Sequence, residues 1–197
     1  MSTRENFDRT AQAMVGTRID GVMYWDVHHW NDEPREWEHG DWHHAVLGVE
    51  MRTNTGPFSV VWTNTFYPYG VEVVSAPMTH LLTLGDGGPE SWTVTDHPAW
   101  SSRTGQQVLA VDTFWERLEI GPARSTDGRV VAPARTVELP VALRLDFAAG
   151  PVWFVVGVPT VEGGAVVPGD EIMVVLTPEA MLRLGFTAGT FTAGSTR

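Results

Sequence analysis

Cysteine is absent from this 197-residue chain. That excludes disulfides, a thiol nucleophile and thiolate metal sites, and it fits a reducing cytoplasm, the compartment expected. Lysine is absent as well, since all 13 basic residues are arginine. Schiff-base chemistry and a phosphate-loop lysine are therefore unavailable. No stretch of 18 uncharged apolar residues occurs, so no membrane-spanning helix is expected. The opening segment MSTRENFDRTAQ is polar and lacks the apolar core of a secretory signal. Positive charge is scarce overall, with 24 acidic residues leaving a formal charge of −11. Such a surface opposes binding to phosphate backbones, so no nucleic-acid partner is expected. It suits a basic protein partner, although solubility alone is the plainer reason for an acidic surface.

Recognisable reaction motifs are also missing. No GxSxG elbow marks a hydrolase, and Ser101 and Ser102 sit in a polar stretch with nothing to activate them. The glycine-rich GDGGPE (85–90) lacks the strand–GxGxxG–helix context of a dinucleotide site, and Pro89 would interrupt a helix there.

What is present is strand periodicity over most of the chain. Residues 3–15 read as a short helix with Phe7, Ala11 and Met14 on one face. Residues 20–30 and 42–52 alternate as strands, the second with Ala45, Leu47, Val49 and Met51 on its apolar face and His43 in line. Thr53–Gly56 is a hairpin turn before the strand 57–66, and residues 77–83 form a helical turn. VELPVALRLDF (137–147) is a half-buried strand in which Pro140 marks an edge or a bulge. VWFVVGV (152–158) is apolar on both faces and should be a central strand. TPEAMLRLGF (177–186) spells a helix with Thr177 as N-cap, Pro178 at its first position and Gly185 as its stop. The fold expected is mainly β (α+β): one domain over 1–186, an antiparallel curved sheet or barrel-like core with a short helix at each end, and a flexible tail over 187–197.

Candidate chemistry concentrates in WDVHHWNDEPREWEHGDWHH (25–44), which holds five of the seven histidines, four of the nine tryptophans and six acidic residues. Strand parity divides its histidines between opposite faces, so all five cannot meet at one ion. Asp26, His28, His44 and Glu50 remain as a conceivable ligand set for a divalent metal, without a recognised metal spacing. Strand carboxylates and histidines could equally serve as general acid and base, or simply pair with arginine. The intervening loop 31–41, with Trp30 and Trp42 flanking it, is the better candidate for touching a partner, through Trp30, Glu36, Trp37, Glu38, Asp41 and Trp42. Trp37, set between two glutamates, either reaches out to a partner or is buried and pins the loop.

DWHHAVLGVEMRT through NTFYPYGVEVV, VALRLDFAAGPVWFVVGVP and GDEIMVVLTPEAMLRLGF together resemble uncharacterised proteins of actinobacterial genomes. The resemblance covers most of the chain and implies a single domain; it implies no activity and no site residues. The expectation from the residues is an acidic, non-enzymatic protein-binding module without a cofactor. Its specific form would be immunity- or antitoxin-like, occluding a basic partner. A β-barrel enzyme or small-ligand or metal-binding protein with a His/carboxylate pocket is the alternative, and a homo-oligomeric structural subunit is the third.

Overall fold

The structure is a computed structural model that describes residues 3–27, 36–82, 87–188 and 191. It opens with helix α1 (Thr3–Gln12), whose Phe7 and Ala11 are buried together with Met14 beyond its end. Two five-stranded antiparallel sheets follow. The first contains β1 (Ile19–Asp26), β3 (Gly48–Thr53), β4 (Gly56–Thr63), β5 (Gly70–Val74) and β6 (Glu90–Thr93), in the order β5-β4-β3-β1-β6. The second contains β2 (Trp42–His44), β7 (Ala110–Ile120), β10 (Arg135–Asp146), β11 (Val152–Val156) and β14 (Ile172–Val175), in the order β2-β14-β11-β10-β7. Two small hairpins pair β8 (Ala123–Arg124) with β9 (Val130–Ala132) and β12 (Val158–Pro159) with β13 (Ala165–Val166). Helices α2 (Pro98–Ser101) and α3 (Pro178–Arg183) complete the chain. The fold is thus mainly β with short helices, and its sheets stay open rather than closing into a barrel.

Hydrophobic periodicity dictates how the layers stack. Val22 and Tyr24 of β1, Val49 and Met51 of β3, and Val60 of β4 meet Leu143 and Leu145 of β10, Phe154 of β11 and Val174 of β14 in one shared core. Strand β11 is buried along its whole length and lies at the centre of its sheet, as its two apolar faces require. Its alternate residues Trp153 and Val155 face a second cluster, built with Met181, Leu184 and Phe186 at and beyond α3. Each fully buried Val or Phe contributes roughly 1.5–3 kcal/mol, so covering both faces makes β11 the main anchor of the fold. A third, smaller cluster joins Trp25, Val61 and Met78 on the outer face of the first sheet, under the short 3-10 turn Met78–His80.

The local signals at 140 and 177–185 behave as their chemistry demands. Pro140 falls at a register shift in the β10–β7 ladder, because proline cannot donate to it. The Thr177 hydroxyl accepts from the backbone N–H of Ala180 and caps α3, and Gly185 follows the helix at φ 97°. Within the segment 187–197, where a flexible tail is expected, Phe191 is buried against Trp153 and its carbonyl accepts from the Trp153 indole at 3.0 Å.

One departure from the sequence reading positions everything that follows. Residues 42–52 are expected as one strand beside 20–30, but only β3 pairs with β1. Strand β2 joins the other sheet, against β14. The hand-over takes three residues: Ala45 N–H donates to the Ile172 carbonyl, and Leu47 N–H donates to the Trp25 carbonyl, each at 3.0 Å. Gly48 permits the bend, since it sits at φ 144° and a Cβ there would lie 2.4 Å from the Val60 carbonyl oxygen. Periodicity alone carries no sign of this break, because both halves alternate in the same phase.

Candidate functional site

Residues 37–44 form a tight hairpin that leads into this crossing. His44 N–H donates to the Trp37 carbonyl at 2.7 Å, His39 N–H donates to the Trp42 carbonyl at 3.0 Å, and Glu38 bridges His43. Gly40, at φ 78°, makes the turn. Beside it the Asp41 carboxylate accepts from the Thr177 hydroxyl at 3.2 Å and pairs with Arg183, which ties the hairpin to α3. Strand parity in β2 then sends His43 towards the shared core and Trp42 and His44 to the outer face.

On the inner side His43 is fully buried, with Nδ1 2.8 Å from the Tyr24 hydroxyl. That hydroxyl accepts the indole N–H of Trp100 at 2.6 Å. Trp37 lies edge-on to Tyr24, His43 and His97 and packs beside Trp92. His97 precedes Pro98 and caps α2, its Nδ1 accepting from the Ala99 N–H at 3.3 Å. Its Nε2 lies 3.1 Å from Oε1 of Glu38. Burial, reinforced by the neighbouring His97, lowers the His43 ring to about 4, so it is neutral at physiological pH. Burial pushes the Tyr24 hydroxyl up and keeps it protonated. Arg103, the buried cation nearby, is lowered by burial and donates to the carbonyls of Ala99, Gly150 and Pro151. Among the described residues, His43 Nε2 is one of three buried side-chain polar atoms with no hydrogen-bond partner, the others being the indole nitrogens of Trp25 and Trp92.

On the outer side Glu36, His39, Trp42, His44 and Glu171 line an open cleft of about 530 Å³ whose far wall is Val158–Val161. His39 stacks on Trp42 with ring centroids 4.1 Å apart. His44 Nε2 and Glu171 Oε2 are 2.7 Å apart at the cleft floor. Val161 on the opposite rim is completely exposed.

The residues singled out from sequence fall into separate places. Trp30 and His28 lie outside the described residues. Trp37 is turned inward and pins the loop, while Glu36 and Trp42 face the outer cleft. Glu38 stands beside His97, and Asp41 is engaged by Arg183 and Thr177. Asp26 is buried and accepts the Val27 N–H at 2.6 Å, whereas Glu50 accepts the Met78 N–H at 2.8 Å. The register pairs Glu50 with Met23, so Glu50 and Asp26 point to opposite faces of the first sheet. His44 hangs from the second sheet. Asp26, His44 and Glu50 are therefore not gathered into one ligand set, because β2 belongs to the other sheet. Tyr24, His43, His97 and Trp100 of the inner site, and His39 and Glu171 of the outer cleft, were not singled out for them. A usable signal existed for the helix that carries two of them: His97-Pro98 has the cap-then-proline pattern of a helix start. Compared with known protein families, curated proteins and solved structures, the chain gives no match.

Proposed function

We propose that the chain is an acidic, non-enzymatic binding module that receives an arginine or lysine side chain of a basic protein partner in the outer cleft. The observation that carries this reading is the make-up of that cleft. Two carboxylates, Glu36 and Glu171, line it together with the half-buried indole of Trp42 and the exposed Val161. His39 stacks on that indole and His44 engages Glu171, so an incoming guanidinium displaces His39 from the Trp42 face and takes Glu36 as its carboxylate. The apolar rim supplies area that excludes water around such an anchor. The formal charge of −11 steers basic partners towards the molecule and makes association salt-dependent. An immunity- or antitoxin-like protein that occludes a basic partner is the specific form of this reading. Nucleic acid is a poor fit on the same electrostatic grounds.

The test is fluorescence anisotropy of a labelled arginine-rich peptide. Binding should weaken at least ten-fold in Trp42→Ala and in Glu36→Arg, and fall steeply between 50 and 300 mM salt. Equal binding by both variants, at unchanged folding, contradicts the reading.

A further inference from the structure

The inner side of the hairpin carries chemistry that the outer cleft does not use. Among the described residues, Glu38, His43 and His97 form the one group of three whose ligand atoms all lie within 4.8 Å of one another. Two of them stand 3.1 Å apart, His97 Nε2 and Glu38 Oε1. The third ring, that of His43, is fully buried and has one nitrogen without a hydrogen-bond partner. A buried polar atom of this kind is costly unless something satisfies it.

We propose that Glu38, His43 and His97 bind one borderline divalent transition-metal ion of the Zn2+ class. The donor set is two imidazoles and one carboxylate, which favours such ions over Mg2+ or Ca2+, whose preferred ligands are oxygens. Zinc bonds to nitrogen and oxygen of roughly 2.0–2.1 Å set neighbouring ligands roughly 3.4 Å apart in a tetrahedron. The Glu38–His97 pair already meets that separation, and Glu38 is exposed enough to adjust towards His43.

The surroundings support the ligand form of His43. With its Nδ1–H donating to the Tyr24 oxygen, the Nε2 lone pair is left for the ion, and the Tyr24 oxygen can accept this bond beside the one from Trp100. The Trp37 ring lies edge-on to both histidines and restricts water around them. Ligation has two costs. The buried Tyr24 hydroxyl, accepting from both Trp100 and His43, loses His43 as the acceptor for its own proton. His97 must carry its proton on Nδ1 to coordinate through Nε2, which sacrifices the long 3.3 Å bond from Ala99 N–H. Three protein ligands leave a coordination position for water or an exogenous group. This site stands apart from the outer cleft and does not depend on the partner-binding reading.

The experiment uses the full chain, stripped with EDTA and dialysed. Zn2+ is titrated by calorimetry, and Co2+ by its visible d–d absorption. The expected result is one ion per chain with a Kd of about 10 μM or tighter. Glu38→Gln and His97→Asn should each weaken binding ten-fold or more, and His39→Gln should leave it unchanged. Asn keeps an acceptor at the α2 cap and Glu38 is exposed, so both variants retain the fold, as circular dichroism checks. Weaker binding than this by the parent chain overturns the proposal. So does binding that survives in both variants, because it would report the other histidines.

Discussion

Tyr24→Phe removes one oxygen atom and keeps the ring that packs the core. In the folded chain that oxygen accepts the Trp100 indole N–H at 2.6 Å and meets His43 Nδ1 at 2.8 Å. All three side chains are buried, so water does not replace it. Two net hydrogen bonds contribute about 0.5–1.5 kcal/mol each, and an orphaned buried donor costs about 1–3 kcal/mol. The expected loss is therefore about 2–6 kcal/mol. With a urea m-value of about 2 kcal/mol/M, the unfolding midpoint should fall by about 1–3 M while m stays constant. The two bonds share one oxygen, so the effects should not add. Trp100→Phe should cost about 1 kcal/mol less in the Tyr24→Phe background than in the parent chain. Urea unfolding followed by circular dichroism measures both quantities. A midpoint shift below about 0.3 M, or strict additivity, would refute the network as a source of stability.

The remaining predictions concern the same hairpin and the chain's end. In metal-free protein the His43 ring, held to about 4 against an ordinary 6.5, is unprotonated when the unfolded chain already binds a proton. The resulting penalty is absent above pH 6.5 and grows as pH falls to about 4, reaching on the order of 3 kcal/mol; an NMR titration midpoint for His43 above pH 6 would sink this. Phe191→Ala should expose the Trp153 indole, red-shift tryptophan emission and cost about 3–5 kcal/mol, because that ring covers a buried tryptophan. An unchanged melting temperature would mean that the contact contributes nothing.

Much of the fold is legible in the residues. The all-apolar VWFVV reads as a central strand because only a strand covered on both faces tolerates it, and β11 is that strand. Thr177-Pro178 and Gly185 announce α3 through capping chemistry that acts locally. The site is less legible because it depends on which sheet a strand joins. His43 and Tyr24 meet only because the chain changes sheets between Trp42–His44 and Gly48–Thr53, and both halves show the same alternation. The same change separates His44 from Glu50. Trp37 between two glutamates gives a sequence-local signal for exposure, yet its ring is drawn inward by Tyr24, Trp92 and two histidines from distant parts of the chain.

The proposed division of the hairpin, into an outer cleft for an arginine or lysine side chain and an inner network that such a side chain does not enter, is tested most directly by NMR of 15N-labelled indoles. On titration with an arginine-rich peptide, the Trp42 indole should shift, with the indoles of Trp37 and Trp100 unmoved. A response confined to Trp37 or Trp100, with Trp42 silent, would contradict the account.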